Sequence, residues 1–235
     1  MLRPRRLLLL LLLLSAAGDM AISAERPDSA RRSDHSSSAV QNAEPPRVIT
    51  IPTELVVRVD ANRALGSASA KVAIVEFGDY QCPYCRAFHV GTLPQLQTAY
   101  IDTGKVRYFY KDFPLSIHEH AFGASVAAYC AGAQGRYWQM QELLYAEQAR
   151  LGVELYGELA GELKLDPERF QACRKSAAAR GAVRRDVGEG RDLGINATPS
   201  FILGYIEQDR VVVKRTAAGA PSFEVFAKEI EALNR

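Results

Sequence analysis

Charge imbalance is missing from this chain: 29 Lys and Arg stand against 27 Asp and Glu, a net charge of +2 over 235 residues. That removes the basic field through which proteins grip a nucleic-acid backbone. Arg31-Arg32 and Arg184-Arg185 are too brief to make a patch and read as solvated surface. Histidine and cysteine are both scarce, with four residues each. A zinc site needs three or four such ligands held together. Beyond the cysteines only His118 and His120 suggest donors, and solvent contact or helix capping suits them better. No internal repeat is visible, so the chain is not a repeat array.

Long apolar runs are also lacking, with one exception at the N-terminus. Arg3, Arg5 and Arg6 precede an unbroken leucine run, Leu7 to Leu14, followed by Ser15-Ala16-Ala17-Gly18. The stretch ends short of the about 20 apolar residues that span a bilayer. This layout predicts a secretory signal peptide over residues 1–24, cleaved among the small residues. An uncleaved membrane anchor is the alternative. No cysteine sits there to carry a lipid anchor. Either way the rest of the chain lies outside the cytosol, periplasmic or otherwise exported, where disulfides persist.

Residues 25–47 are rich in Ser, Ala, Arg and Asp without apolar periodicity, and read as a disordered tether. Order is expected from Val48, with Ile49, Ile51, Val57 and Val59 as an extended lead-in broken by Pro52. Lys71 to Phe77 is a buried central strand by its β-branched run. Residues from about Pro83 to Ile101 form a helix, kinked at Pro94. Val106 to Lys111 makes a second strand and completes a βαβ unit. A helical block follows over about 116–194, with Asp166-Pro167 as a helix start. Trp138, with Tyr137 and Leu143, is expected to pack that block. Strands at Phe201 to Leu203 and Val211 to Val213 come next, then an amphipathic helix from Phe223 to Leu233. The order defines an α/β protein, a thioredoxin-like sheet over residues 48–235 with helices inserted.

Cys82-Pro83-Tyr84-Cys85 follows the first central strand and opens the first helix. A cysteine at a helix N-terminus faces free N–H groups and the positive end of the dipole, which favour its thiolate. That suits thiol–disulfide exchange, although the same spacing also serves zinc.

The residues around this motif resemble the DsbA-type thiol–disulfide oxidoreductases of the thioredoxin superfamily. The resemblance runs from Leu65 to Asn234. It rests on Val75-Glu76-Phe77-Gly78-Asp79-Tyr80-Gln81-Cys82-Pro83-Tyr84-Cys85, on Phe113-Pro114-Leu115 and on His118-Glu119-His120-Ala121. It continues in Cys130-Ala131-Gly132-Ala133-Gln134-Gly135-Arg136-Tyr137-Trp138 and Gly194-Ile195-Asn196-Ala197-Thr198-Pro199-Ser200-Phe201. The family implies no cofactor beyond a redox-active Cys82–Cys85 disulfide, and no metal.

The resemblance implies a role for each site residue. Cys82 is the nucleophile and Cys85 the resolving thiol. Glu76 relays protons to Cys85; a structural pairing of Glu76, for instance with Lys111, is the alternative. Pro199, after a cis bond from Thr198, faces the cysteines and keeps metal from them. Thr198, Pro83 and Tyr84 are the expected substrate contacts. Apart from the resemblance, Tyr80, Tyr84 and Phe113 form either an apolar surface around Cys82 or part of the core and its rim. Asn196-Ala197-Thr198 matches a glycosylation pattern by accident of that loop. Cys130 and Cys173 form a structural disulfide, as in some relatives, or remain buried free thiols.

The implied partners are exported cysteine-containing or unfolded proteins and a membrane protein that reoxidises the pair. The implied state is a monomer that binds no nucleic acid. The direction of exchange is oxidation, with isomerase, reductase or a thioredoxin-fold binding module as alternatives. Tyr84 stands where strongly oxidising relatives carry histidine, which predicts a milder oxidant.

Overall fold

The computed structural model describes residues 48–50 and 55–235. The expected signal peptide and tether lie outside the described residues. Among the described residues, no helix is long and apolar enough to cross a membrane.

The centre of the molecule is a mixed seven-stranded sheet. Strand β1 spans Val48–Thr50, β2 Val56–Arg58, β3 Ala64–Leu65, β4 Val72–Gly78, β5 Val106–Asp112, β6 Ser200–Glu207 and β7 Arg210–Ala218. Their order is β1-β7-β6-β4-β5-β3, with β2 also on β7. Among the described residues only β4 and β5 run parallel, and every other pair is antiparallel. All seven residues of β4 are buried, because helices cover both faces of the sheet there. Alternation then sorts its side chains. Val72 and Ile74 join Tyr108, Tyr110, Phe201 and Leu203 in one core. Ala73, Val75 and Phe77 join Phe109, Phe113, Ile202 and Val213 in the other. In β6 the register shifts between Leu203 and Gly204. A Cβ on Gly204 would lie 1.9 Å from the Val212 carbonyl oxygen, so only glycine fits that close approach.

The helix after β4 is divided into α and π segments. Helix α1 (Pro83–Ala87) runs into a π turn at Phe88–Thr92, then α2 (Leu93–Leu96), then a second π turn at Gln97–Ile101. Pro94 brings no N–H to the preceding turn, and the widened turns on either side absorb the mismatch. Phe88 seals this helix onto the sheet, 4.6 Å from Phe201 and 5.6 Å from Phe226 of α8 (Phe223–Leu233) by ring centroids.

Five helices fill the chain between β5 and β6: α3 (Ala121–Gly132), α4 (Tyr137–Ala146), α5 (Val153–Glu162), α6 (Pro167–Lys175) and α7 (Ala177–Asp192). Helix α6 begins as its sequence dictates, with Asp166 Oδ1 accepting the Arg169 N–H at 2.9 Å and Pro167 in the first turn. Trp138 is only partly buried; its indole N–H reaches the Ala64 carbonyl at 3.2 Å and ties α4 to the edge strand β3. A buried charge cluster holds α7 to β5. Arg63 lies 2.9 Å from Asp112 and 2.7 Å from Asp186, and Lys111 pairs with Asp186 and Glu189.

Cys130 of α3 and Cys173 of α6 are joined by a disulfide across 43 positions. Replacing both with alanine should cost about 4 kcal/mol in the chain-entropy picture for a loop of this length. Denaturant unfolding of the variant checks this; a loss below about 1 kcal/mol contradicts it.

Candidate active site

The thiol pair sits where β4 gives way to α1. Gly78 ends the strand, Asp79-Tyr80-Gln81 turns the chain, and Cys82 takes the N-cap position in extended backbone, φ −74° and ψ 122°. Pro83 occupies the first helical turn, where a missing N–H costs nothing. Tyr84 projects outward, 62% exposed, while Cys85 points inward and is fully buried. Cys82 and Cys85 are free thiols in this structure.

Across from them runs the loop before β6. Thr198 and Pro199 are joined by a cis peptide bond, and both are buried. The Cys82 thiol lies 3.3 Å from the Thr198 carbonyl oxygen and donates to it. Two stretches 116 positions apart thereby meet at one sulfur.

The two cysteines have opposed electrostatics. Cys82 is lowered from 9.0 to about 6, first by its hydrogen bond with Cys85, then by the Thr198 side chain and the N–H groups of Cys85 and Tyr84; burial works against these. The Thr198 hydroxyl is buried with no hydrogen-bond partner among the described residues while Cys82 is a thiol, which leaves it available to a thiolate. Cys85 is raised well above its ordinary value by burial first, then by its bond to Cys82 and by the Glu76 charge. One thiol is therefore poised to ionise near neutrality and its neighbour to hold its proton.

Glu76 is fully buried on β4. Tyr108 Oη donates to its carboxylate, and His89 Nε2 lies 3.1 Å from Oε2. The pairing with Lys111 is corrected: in the β4–β5 register Phe77, not Glu76, is opposite Lys111. Lys111 accordingly emerges on the other face of the sheet, with Asp186, Glu189 and the Arg58 carbonyl. Tyr80 and Phe113 are likewise buried, 0% and 4% exposed, which settles them as core residues and not a surface around Cys82. Tyr80 packs on Tyr145 at 5.0 Å, and Phe113 meets Phe77 edge-on at 6.2 Å.

Three residues without an assigned role in the sequence hold the site together. Asp79 is fully buried and accepts from the N–H of Gln81 at 2.7 Å and of Leu115 at 2.8 Å, with His118 Nδ1 at 2.7 Å. It pins the 113–118 loop against the thiol pair. Gln148, just past α4, donates to the carbonyls of Tyr80 at 2.7 Å and Cys82 at 3.0 Å. His89, one turn beyond Cys85, reaches Glu76. His120 is the N-cap residue of α3, and its backbone N–H is bound by Gln81 Oε1 at 2.8 Å.

A thioredoxin-type sheet with a CxxC pair at a helix N-terminus, facing a cis-proline loop, defines the class. The family model described as thioredoxin matches residues 58–216, and the chain belongs to that family. It is 32% identical to the "Probable disulfide bond formation protein D" of Bacillus anthracis over 146 residues, 59% of this chain and 67% of that protein. It is 38% identical to "Na(+)/H(+) antiporter NhaA 1" of Salinispora arenicola over 157 residues, 64% of this chain. The match spans only 23% of that antiporter's length. The fold is that of BdbD from Bacillus subtilis in its oxidised form: TM-score 0.64 at 22% identity, covering 77% of this chain and 98% of that one.

Proposed function

We propose that the chain is an exported thiol–disulfide oxidoreductase that oxidises substrate dithiols through a Cys82–Cys85 disulfide. The observation that carries this reading is the split between the two thiols, Cys82 lowered to about 6 and Cys85 raised. The name of the Bacillus relative supports the same direction.

A substrate thiolate attacks Cys82 Sγ of the disulfide. The Cys82–Cys85 bond breaks, a mixed disulfide forms at Cys82, and Cys85 leaves as a thiolate that takes a proton through Glu76. A second substrate thiolate then attacks the substrate sulfur of the mixed disulfide. The substrate leaves with its own disulfide, and Cys82 departs as a thiolate. Its low pKa makes it a good leaving group. The two electrons now reside on Cys82 and Cys85, and a membrane redox partner removes them to close the cycle. Thr198 and Pro199 face the sulfur, and Tyr84 with Pro83 offers exposed surface, so these residues receive the substrate. No other cofactor is needed. The protein acts as a monomer on cysteine-containing exported proteins.

The structure of the thiol pair favours oxidation even though Tyr84 replaces histidine. Thr198 and the N–H groups of Tyr84 and Cys85 supply thiolate stabilisation that a histidine would otherwise add. The redox equilibrium with glutathione tests the direction. The pair should titrate as one two-electron couple, less negative than the thioredoxin value of about −270 mV. A potential at or below that value assigns the chain to reduction instead.

A further inference from the structure

His89 is drawn into the protein by contacts that a solvated helix residue would not make. Its side chain is 8% exposed. The ring stacks on Tyr145 of α4 at 4.2 Å and meets Tyr110 of β5 at 5.8 Å. Its Nε2 is held 3.1 Å from the Glu76 carboxylate of β4. Cys85 lies one turn earlier on the same helix, and the Glu76 charge acts on its thiol. His89 also lines a groove of about 520 Å³ with Leu65, Leu93, Trp138, Gln141 and Glu142. None of Cys82, Pro83, Tyr84 and Thr198 borders that groove.

Glu76 therefore acts by its charge on the Cys85 thiol and is in contact with an imidazole that reaches a solvent-sized space. A fully buried carboxylate cannot trade protons with bulk water by itself. Its other partner, Tyr108, is a poor carrier, because burial and the Glu76 charge push that phenol well above its ordinary value. The titratable groups facing His89 are Glu76 from β4, Tyr110 from β5, and Tyr145 and Glu142 from α4, with Cys85 on its own helix.

We propose that His89 is the positioning residue that links Glu76 to solvent, so that Cys85 exchanges its proton through the groove that His89 lines and not past Cys82. The inference rests on the thiol-exchange reading above. When Cys85 attacks a mixed disulfide at Cys82, the Cys85 S–H proton passes to the Glu76 carboxylate and on to His89 Nε2. The imidazole releases a proton from its other nitrogen into the groove. The Cys82–Cys85 bond forms, and the partner leaves with the bonding pair as a thiolate. When Cys85 is itself the leaving thiolate, the proton returns by the same route.

The reduced full chain treated with 5,5′-dithiobis(2-nitrobenzoate) gives a direct test. Cys82 releases the first thionitrobenzoate and becomes a mixed disulfide; attack by Cys85 releases the second. In His89→Ala the second release should slow by about a hundredfold near neutral pH and approach the wild-type rate as hydroxide takes over near pH 9. Free imidazole, small enough for the groove, should restore the rate in His89→Ala and leave the wild type unchanged. His89→Gln keeps a hydrogen-bond donor for Glu76 but cannot carry a proton, and should stay slow. A wild-type pH profile in His89→Ala overturns the proposal. So does full recovery in His89→Gln, or a slow His89→Ala that imidazole leaves slow, since either makes the contact one of shape alone. If the wild type releases no second equivalent, the thiol-exchange reading itself falls.

Discussion

Cys82→Ser should abolish dithiol oxidation, lowering the rate by at least about a thousandfold to that of the solution reaction. The hydroxyl that replaces the thiol neither ionises near neutrality nor forms a disulfide, so no mixed intermediate is reachable. The helix N-terminus, the Thr198 contact and the buried Cys85 all remain, which makes the variant a test of the sulfur and not of the fold. The reduced form should lose only the thiolate contribution, on the order of 1 kcal/mol at pH 7, because Cys82 otherwise holds its place through backbone bonds, its N–H to the Asp79 carbonyl at 3.1 Å and its carbonyl to Arg86 N–H at 3.1 Å. Oxidation of a reduced model peptide by the preoxidised chain measures the effect. Retention of more than about a tenth of the wild-type rate would place the chemistry elsewhere.

The reduced protein should gain stability between about pH 6 and pH 9, and the oxidised protein should not. Cys82 has a folded-state value near 6 against 9.0 for an ordinary thiol. A group lowered on folding contributes stability that is complete above its unfolded value and disappears as pH falls through its folded value. The window therefore runs from 9 downward and closes near 6. Cys85 is raised and has the opposite sign; its contribution is complete below 9 and is lost only above it. At pH 7 the Cys82 contribution is on the order of 1 kcal/mol. The oxidised form has no thiol to titrate, so the difference between the two unfolding curves isolates the effect. Thiolate absorbance gives the midpoint separately. A midpoint at the ordinary thiol value of 9.0 would contradict the account.

The legible parts of the protein were those written in short stretches of chain. The β-branched run of β4, the Cys-Pro-x-Cys motif at a helix start and the Asp166-Pro167 cap each depend on neighbours a few residues away. The parts that escaped depend on the sheet. Whether Lys111 meets Glu76 is decided by which face each strand position takes, and the β4–β5 register puts the two on opposite faces. Tyr80 and Phe113 look like candidates for an apolar rim until the helical block is packed over them. His89 and Asp79 carry no local motif. His89 lies in a π turn at Phe88–Thr92 that no local sequence motif announces, and its contact with Glu76 joins that turn to β4. Asp79 stood within the stretch that carries the family resemblance, three positions before Cys82. Its bonds to the 113–118 loop appear only once α3 and the strands are assembled.

The covalent intermediate offers the most direct test. Cys85→Ala removes the resolving thiol and should leave substrate proteins held at Cys82. The full chain carrying this substitution, expressed with its N-terminal segment and collected under acid quench, would be digested without reductant and mapped by mass spectrometry. The account predicts partner peptides disulfide-linked to Cys82 and absent from a Cys82→Ser, Cys85→Ala double variant. Recovery of Cys82 as a free thiol throughout, or linkage only at Cys130 or Cys173, would contradict it.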